Sequence, residues 1–343
     1  MNTSSVSIQP SAANVGALVL HRGLRIYSQL VCAAVALLIF VGALVTSHDA
    51  GLAVPDWPTT YGENMFLYPP SKWVGPIFYE HFHRLLASGI GLLTIILTVW
   101  VLKVEKRRWV RMLTLTALAA VIVQGLLGGL TVLLKLPDAV SVAHGMLAQT
   151  FFCLTIVIAY SQSQELRARL SSAQATGSPQ LFRWALVALG AVYLQLFFGA
   201  VMRHGGGGIA VPDFPTTAGA IFPHLNQAML ETVNELRRQV HLAPATMYQV
   251  VTHCIHRFWA YVVVAALLIF AWKTRGPSAS SAIRSVGTLI GVGIVLQFTL
   301  GALTVLSVRQ PYLTSAHVAV GALMLGLCVL AVLRAFPVKS AKR

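Results

Sequence analysis

The chain has 343 residues, of which 56% are hydrophobic and only 10% charged, with a mean hydropathy of +0.73. An average soluble domain is about 25% charged, so the composition excludes a soluble globular enzyme, a disordered chain and a disulfide-built secreted module. The 25 Lys and Arg against 10 Asp and Glu give a net charge of +15; on a soluble protein that excess would suggest nucleic acid, but here the bases sit in short segments between long apolar runs, and no nucleic-acid partner is expected.

A helix crossing about 30 Å of hydrocarbon needs about 20 apolar residues. Eight stretches meet that length: 26–46, 80–102, 110–134, 139–160, 181–202, 250–272, 284–306 and 313–334. Backbone groups in lipid must be satisfied internally, so each is read as a helix. The polar, small residues 1–20 predict no cleavable signal. Cys32, Cys153, Cys254 and Cys328 all lie in apolar stretches, which excludes a disulfide framework and a CxxC metal motif.

Charge sets the orientation. The N-terminus, the even-numbered loops and the C-terminus hold 17 of the 25 Lys/Arg, including Lys103, Lys106, Arg107, Arg108 and Arg111 and the tail Lys339, Lys342 and Arg343. The odd-numbered loops hold six, and seven of the ten acids. The positive-inside rule then places both termini in the cytoplasm of a bacterial inner membrane, and the two longest loops, 47–79 and 203–249, outside.

The chain is also a duplication. Val54-Pro55-Asp56-Trp57-Pro58-Thr59-Thr60 recurs as Val211-Pro212-Asp213-Phe214-Pro215-Thr216-Thr217, an offset of 157. His83-Arg84 recurs as His256-Arg257, Gln124 as Gln297, Gly128 as Gly301 and His144 as His317, each 173 positions later. The second outer loop is therefore 16 residues longer, and the amphipathic pattern over 224–243 predicts a surface helix there. Copies with an even number of spans share one orientation, so their axis runs along the membrane normal. The expected fold is an all-α integral membrane protein of eight transmembrane helices in two pseudo-two-fold-related four-helix bundles. A segment 1–25 would precede the first bundle, 26–165; a linker, 166–180, would lead to the second, 181–335; a basic tail, 336–343, would follow. Gly125, Gly128, Gly129 and Gly301 with Ala302 are expected to let the third and seventh spans approach their neighbours, and Gln124 and Gln297 to bond across the bundle.

His83, His144, His256 and His317 lie near the outer ends of the even spans, in two pairs 61 residues apart. Two imidazoles on facing helices can hold one metal macrocycle from both sides. The alternative is hydrogen bonding between helices, which a pair repeated through a duplication makes the weaker reading. Arg84 and Arg257 need anions, either haem propionates or lipid headgroups. Glu80, one turn before His83, stands where the second copy has His253, so only the first copy carries an acid–base candidate; the other reading is a carboxylate held by Arg84. His81 and His253 read as polar-network residues, and His21, His48, His204, His224 and His241 as solvated ones. The stiff Pro-rich repeats in the outer loops read as lids or as simple structured connections.

Together, Glu80-His81-Phe82-His83-Arg84, the outer Pro-Asp-Trp-Pro loop, His144, His256-Arg257 and His317 resemble the haem A synthase family over about 25–335. The resemblance implies oxidation of the C8 methyl of haem O to a formyl group through an alcohol, for cytochrome oxidase. It implies a haem b iron held by His256 and His317 with Arg257, a substrate haem O held by His83 and His144 with Arg84, and Glu80 as the essential carboxylate. Haem O synthase, cytochrome oxidase assembly factors, membrane lipid and an electron donor the sequence does not identify are the implied partners; a homo-oligomer stays open. Some members carry a cysteine pair in the first outer loop, and this chain has no Cys between Cys32 and Cys153. Two rivals stand beside this reading: a di-haem b electron-transfer protein without haem chemistry, and a parallel-repeat transporter with a histidine proton relay.

Overall fold

The computed structural model describes residues 21–172, 174, 176–277 and 279–338; the expected tail bases Lys339, Lys342 and Arg343, and most of the segment 1–25, lie outside them. The chain is an all-α, multi-pass membrane protein. Among the described residues, eight helices are long and apolar enough to cross a membrane: α1 (Arg22–Ser47), α2 (Pro76–Val104), α3 (Arg108–Leu133), α4 (Asp138–Ser161), α6 (Pro179–His204), α8 (Met247–Lys273), α9 (Ser281–Leu306) and α10 (Pro311–Ala335). Seven cover their expected stretches in full and α3 all but residue 134, and most begin two to four residues earlier than hydropathy registers. Ser178, Ser280 and Gln310 accept the first backbone donors of α6, α9 and α10, and Thr246 with Gln249 forms a capping box on α8. Between 11% and 44% of each span's most apolar window is buried in protein. The exposed remainder, Leu92, Val292 and Val295 among it, is apolar and suits lipid.

α1 to α4 pack in a ring, each on the next, and α6, α8, α9 and α10 repeat that ring. α10 joins the two: it packs on α1 and α4, and α4 also meets α6. Met324, Leu325 and Cys328 of α10 belong to the core of the second ring, while Ala322 belongs to that of the first. Thr150 and Tyr193 share a hydroxyl hydrogen bond of 2.8 Å across the α4–α6 contact.

Among the described residues, two short α-helices lie outside the spans, besides a single 3-10 turn at Pro70–Lys72. α5 (Gln164–Ser171) occupies the segment expected as plain linker. Its Ser163 cap accepts the Leu166 N–H, and Glu165 takes a forked ion pair from Arg334 of α10, at 2.8 Å for the closest atoms. α7 (Gln227–Gln239) is the expected surface helix of the longer loop, shorter than the 224–243 pattern. It buries Met229 and Val233 against Val211, Val250 and Cys254. Arg237 fixes it to the loop, donating to the carbonyls of Ile209, Ala210 and Ala243.

Candidate functional site

His83, His144, His256 and His317 fall in the first three turns of α2, α4, α8 and α10, all at the long-loop end. Each ring lies against a glycine of an odd-numbered span. A Cβ on Gly42 would come 3.0 Å from Cε1 of His83, one on Gly128 3.0 Å from that of His144, one on Gly199 2.9 Å from that of His256 and one on Gly301 3.0 Å from that of His317. Gly128 and Gly301 thus seat imidazoles, where the sequence suggested helix approach, and Gly125 has nothing near it. Gly42 and Gly199 were not foreseen, although they keep the 157-residue offset of the outer-loop motif.

The rings are short of partners. Nδ1 of all four is buried without a hydrogen bond. A buried polar atom left unpaired costs about 1–3 kcal/mol; four such atoms at equivalent places mark sites shaped for something the polypeptide does not supply. Gln124 donates to the His144 carbonyl at 3.0 Å, and Gln195 to the His256 carbonyl at 3.0 Å. Gln297 lies against Gly321, one turn beyond His317. Gln195 was missed because its counterpart in the first copy, at the 157 offset, is Leu38. His83 is therefore the one imidazole of the four without a neighbouring carboxamide from this set.

Beside each first histidine an arginine fastens the long loop. Arg84 donates from Nη1 to the carbonyls of Asp56 (2.7 Å) and Thr59 (3.1 Å), and from Nη2 to the Val54 carbonyl (2.7 Å) and Glu80 Oε1 (2.6 Å). The other Glu80 oxygen accepts the Val54 N–H at 2.7 Å. Arg257 repeats this: Nη1 reaches Thr216 O and Thr217 Oγ1, and Nη2 reaches Val211 O and Nε2 of His253, whose Nδ1 meets the Gly207 carbonyl at 2.9 Å. Both terminal nitrogens of each guanidinium are thereby committed to loop and neighbour, which leaves little for an outside anion. His81 is buried against Tyr68 and Trp73 and meets Thr60 Oγ1, in keeping with a polar-network role. His48 and His204 depart from expectation: His48 stacks on Tyr79 at 3.9 Å between ring centroids, and His204 is half-buried at the end of α6.

The loops have the same build. Asp56 accepts from Thr59 Oγ1, Tyr61 N and Gly62 N; Asp213 accepts from Thr216 Oγ1, Ala218 N and Gly219 N. Tyr61 and Gly62, like Ala218 and Gly219, take positive φ to close the turn. Trp57 lies flat on Gly129, where a Cβ would come within 2.4 Å of the indole; the equivalent residues are the smaller ring of Phe214 and the larger Ala302. Partial burial works to raise the pKa of Asp56, but the hydrogen bonds from Gly62, Thr59 and Tyr61 outweigh it and hold the carboxyl below its ordinary value. The loop order it supplies is present above the ordinary aspartate range, near pH 3.9, and is lost as pH falls through the lowered folded value. Trp57 fluorescence and protease resistance of 57–68 are expected to hold from pH 7 to about pH 4 and to fail below it, and Asp56→Ala to give the open-loop signal at pH 7. A variant loop as resistant as the original would remove this role from Asp56.

No group of three or more His, Cys, Asp or Glu that could hold a metal ion occurs among the described residues. Two imidazoles on opposite helices of a ring suit a metal that brings most of its ligands with it. An iron porphyrin needs only two axial nitrogens, and the unpartnered rings meet that need in each copy.

A family model described as cytochrome oxidase assembly protein, COX15-CtaA, matches residues 25–329. Curated proteins similar to the chain include the heme A synthase of Novosphingobium aromaticivorans, 28% identical over 93% of this chain and 95% of that one. That of Shewanella oneidensis is 26% identical over 77% and 82%, and that of Alkalihalophilus pseudofirmus 27% over 60% and 68%.

Proposed function

The chain belongs to the cytochrome oxidase assembly protein family COX15-CtaA, and on that footing we propose that it is a haem A synthase that oxidises the C8 methyl of haem O to a formyl group through an alcohol. The observation that carries the reading is the doubled pair of imidazoles, each seated on a glycine and each with a buried nitrogen unpaired. His256 and His317 hold a resident haem b in the second ring; His83 and His144 receive haem O in the first. Bound haem iron supplies the redox chemistry.

The chain's own residues do the rest. The glycine seats fix the direction of each ring. Gln124 and Gln195 pin the backbone behind two of them, whereas His83 lacks such a neighbour, as suits a site that must admit and release its haem. Glu80 holds or relays the protons given up at the methyl carbon, with Arg84 keeping its oxygens in place. The Arg84 and Arg257 clasps draw the loops over the long-loop ends of the rings and keep water out. The Lys/Arg bias supports an inner-membrane placement with cytoplasmic termini. Haem O synthase as supplier, an electron donor and oxidase assembly factors complete the setting.

One observation favours the di-haem electron-transfer reading: both Glu80 oxygens are engaged by loop and arginine, as they would be if the residue were structural. Extraction of haems from protein purified out of cells that co-produce haem O synthase separates the two. Haem b together with haem O or haem A is expected; haem b alone, with no haem A accumulating in those cells, would establish the electron-transfer reading.

A further inference from the structure

Arg203 is read from sequence only as one of the six outer bases, yet it ends α6 inside the molecule. It stands four residues past Gly199, the seat of His256, and eight past Gln195, which bonds the helix of His256. Residues at that spacing share one helix face. Its Nη2 donates to the Ala43 carbonyl at 3.1 Å and to Ser47 Oγ at 2.8 Å, both on α1. Ser47 Oγ in turn accepts from the Ser315 hydroxyl at 2.9 Å, two residues before His317. The guanidinium thus sits where α1, α6 and α10 meet, on a hydrogen-bond chain that reaches α10 two residues before His317.

All its hydrogen-bond partners are neutral. None of the ion pairs among the described residues includes Arg203. A half-buried cation in a membrane protein calls for a counter-ion. Arg309, packed near Gly208 just past the end of α6, adds a second positive charge, and the nearby carboxylate of Asp49 is exposed and shared with Arg309 at 3.3 Å, which leaves the two cations with one solvated anion between them. The first copy has neither: Thr46 and Leu136 stand at the equivalent positions. Arg84 and Arg257, by contrast, have both terminal nitrogens committed to the loops.

We propose that Arg203 is the carboxylate-binding residue of the second ring: it takes a propionate of the haem held by His256 and His317, with Arg309 adding positive charge at the rim. This rests on the haem reading of that ring. It reassigns the propionate from Arg257, which is a loop clasp, to a residue on the neighbouring helix α6. It also makes the two rings unlike, since the haem in the second is held by charge as well as by iron, and that in the first by its ligands alone.

The test uses the full-length protein with its haem. Transfer of haem to apomyoglobin reads retention, and a spectroelectrochemical titration reads the midpoint potential. Arg203→Gln is expected to speed loss of the second-ring haem at least about tenfold, because a charge-assisted hydrogen bond is removed. Its potential is expected to move to more negative values, because a cation beside the haem favours the reduced form. Arg203→Lys, which keeps the charge and loses the fork, is expected to fall between, and serves where the Gln variant does not insert. Ser47→Ala removes a neutral partner and is expected to leave the potential where it was. Unchanged potential and retention in Arg203→Gln would overturn the proposal and point to a lipid phosphate as counter-ion. Equal shifts in Arg203→Gln and Ser47→Ala would overturn it in favour of a purely structural tie to α1. Wild-type protein without haem would bring down the haem reading itself.

Discussion

Glu80→Gln is expected to leave haem binding intact and to cut conversion of haem O by at least about a hundredfold, the lower end of what a positioned acid or base contributes. The carboxylate lies one turn from His83 and accepts from Arg84 at 2.6 Å and from the Val54 N–H at 2.7 Å. Removal of the charge therefore also loosens the loop, and one variant does not separate chemistry from architecture. The duplication offers a second. At the equivalent place the other copy has His253, which joins Arg257 to the Gly207 carbonyl. Glu80→His imports that arrangement: the loop is expected to keep its protease resistance while haem A formation is lost. Haem A formed at near wild-type rates by Glu80→His would show that the residue only fastens the loop. The measurement is the ratio of haem A to haem O in extracts, alongside total haem per protein.

Gly199→Val is expected to strip the haem from the second ring. Even an alanine Cβ would stand 2.9 Å from Cε1 of His256, closer than carbon atoms sit, and overpacking of this kind costs about 1–3 kcal/mol. That corresponds to roughly 5- to 150-fold in affinity, and valine adds two further carbons at the same spot. The low-spin absorbance of a two-histidine haem would give way to a weaker, high-spin spectrum. Gly190→Ala on the same helix is the control, since a Cβ there meets nothing within 4 Å; its haem content is expected to match wild type. If Gly199→Val held its haem as firmly, His256 would not be a ligand in the orientation described.

The eight spans could be located from the sequence because a twenty-residue apolar run has few other uses, and because lipid dictates a helix. α5 was missed for the converse reason: eight residues, five of them polar, carry no span-length hydropathy signal, and the helix's position depends on the distant partner Arg334. The duplication made the four histidines stand out, since neither copy alone distinguishes a ligand from a polar contact. Gly128 and Gly301 were recognised as sites of close approach, but spacing gives the face of a helix and not what meets it. Arg203 was counted as one loop charge among six, because its distance from Ser47 along the chain hides their contact. The pairing of Trp57 with Gly129, whose sequence counterparts are the smaller Phe214 and the larger Ala302, is the sort of paired size change an internal repeat can disclose, once the first contact is known.

Because the two copies point the same way, all four rings lie at one depth, near one face of the membrane. An electron passing from the second ring to the first would travel parallel to the bilayer. A charge carried right across feels about 2.3 kcal/mol for every 100 mV, whereas one moved sideways at constant depth feels almost none. On the proposed reading, the transmembrane voltage would thus neither drive nor brake such an exchange.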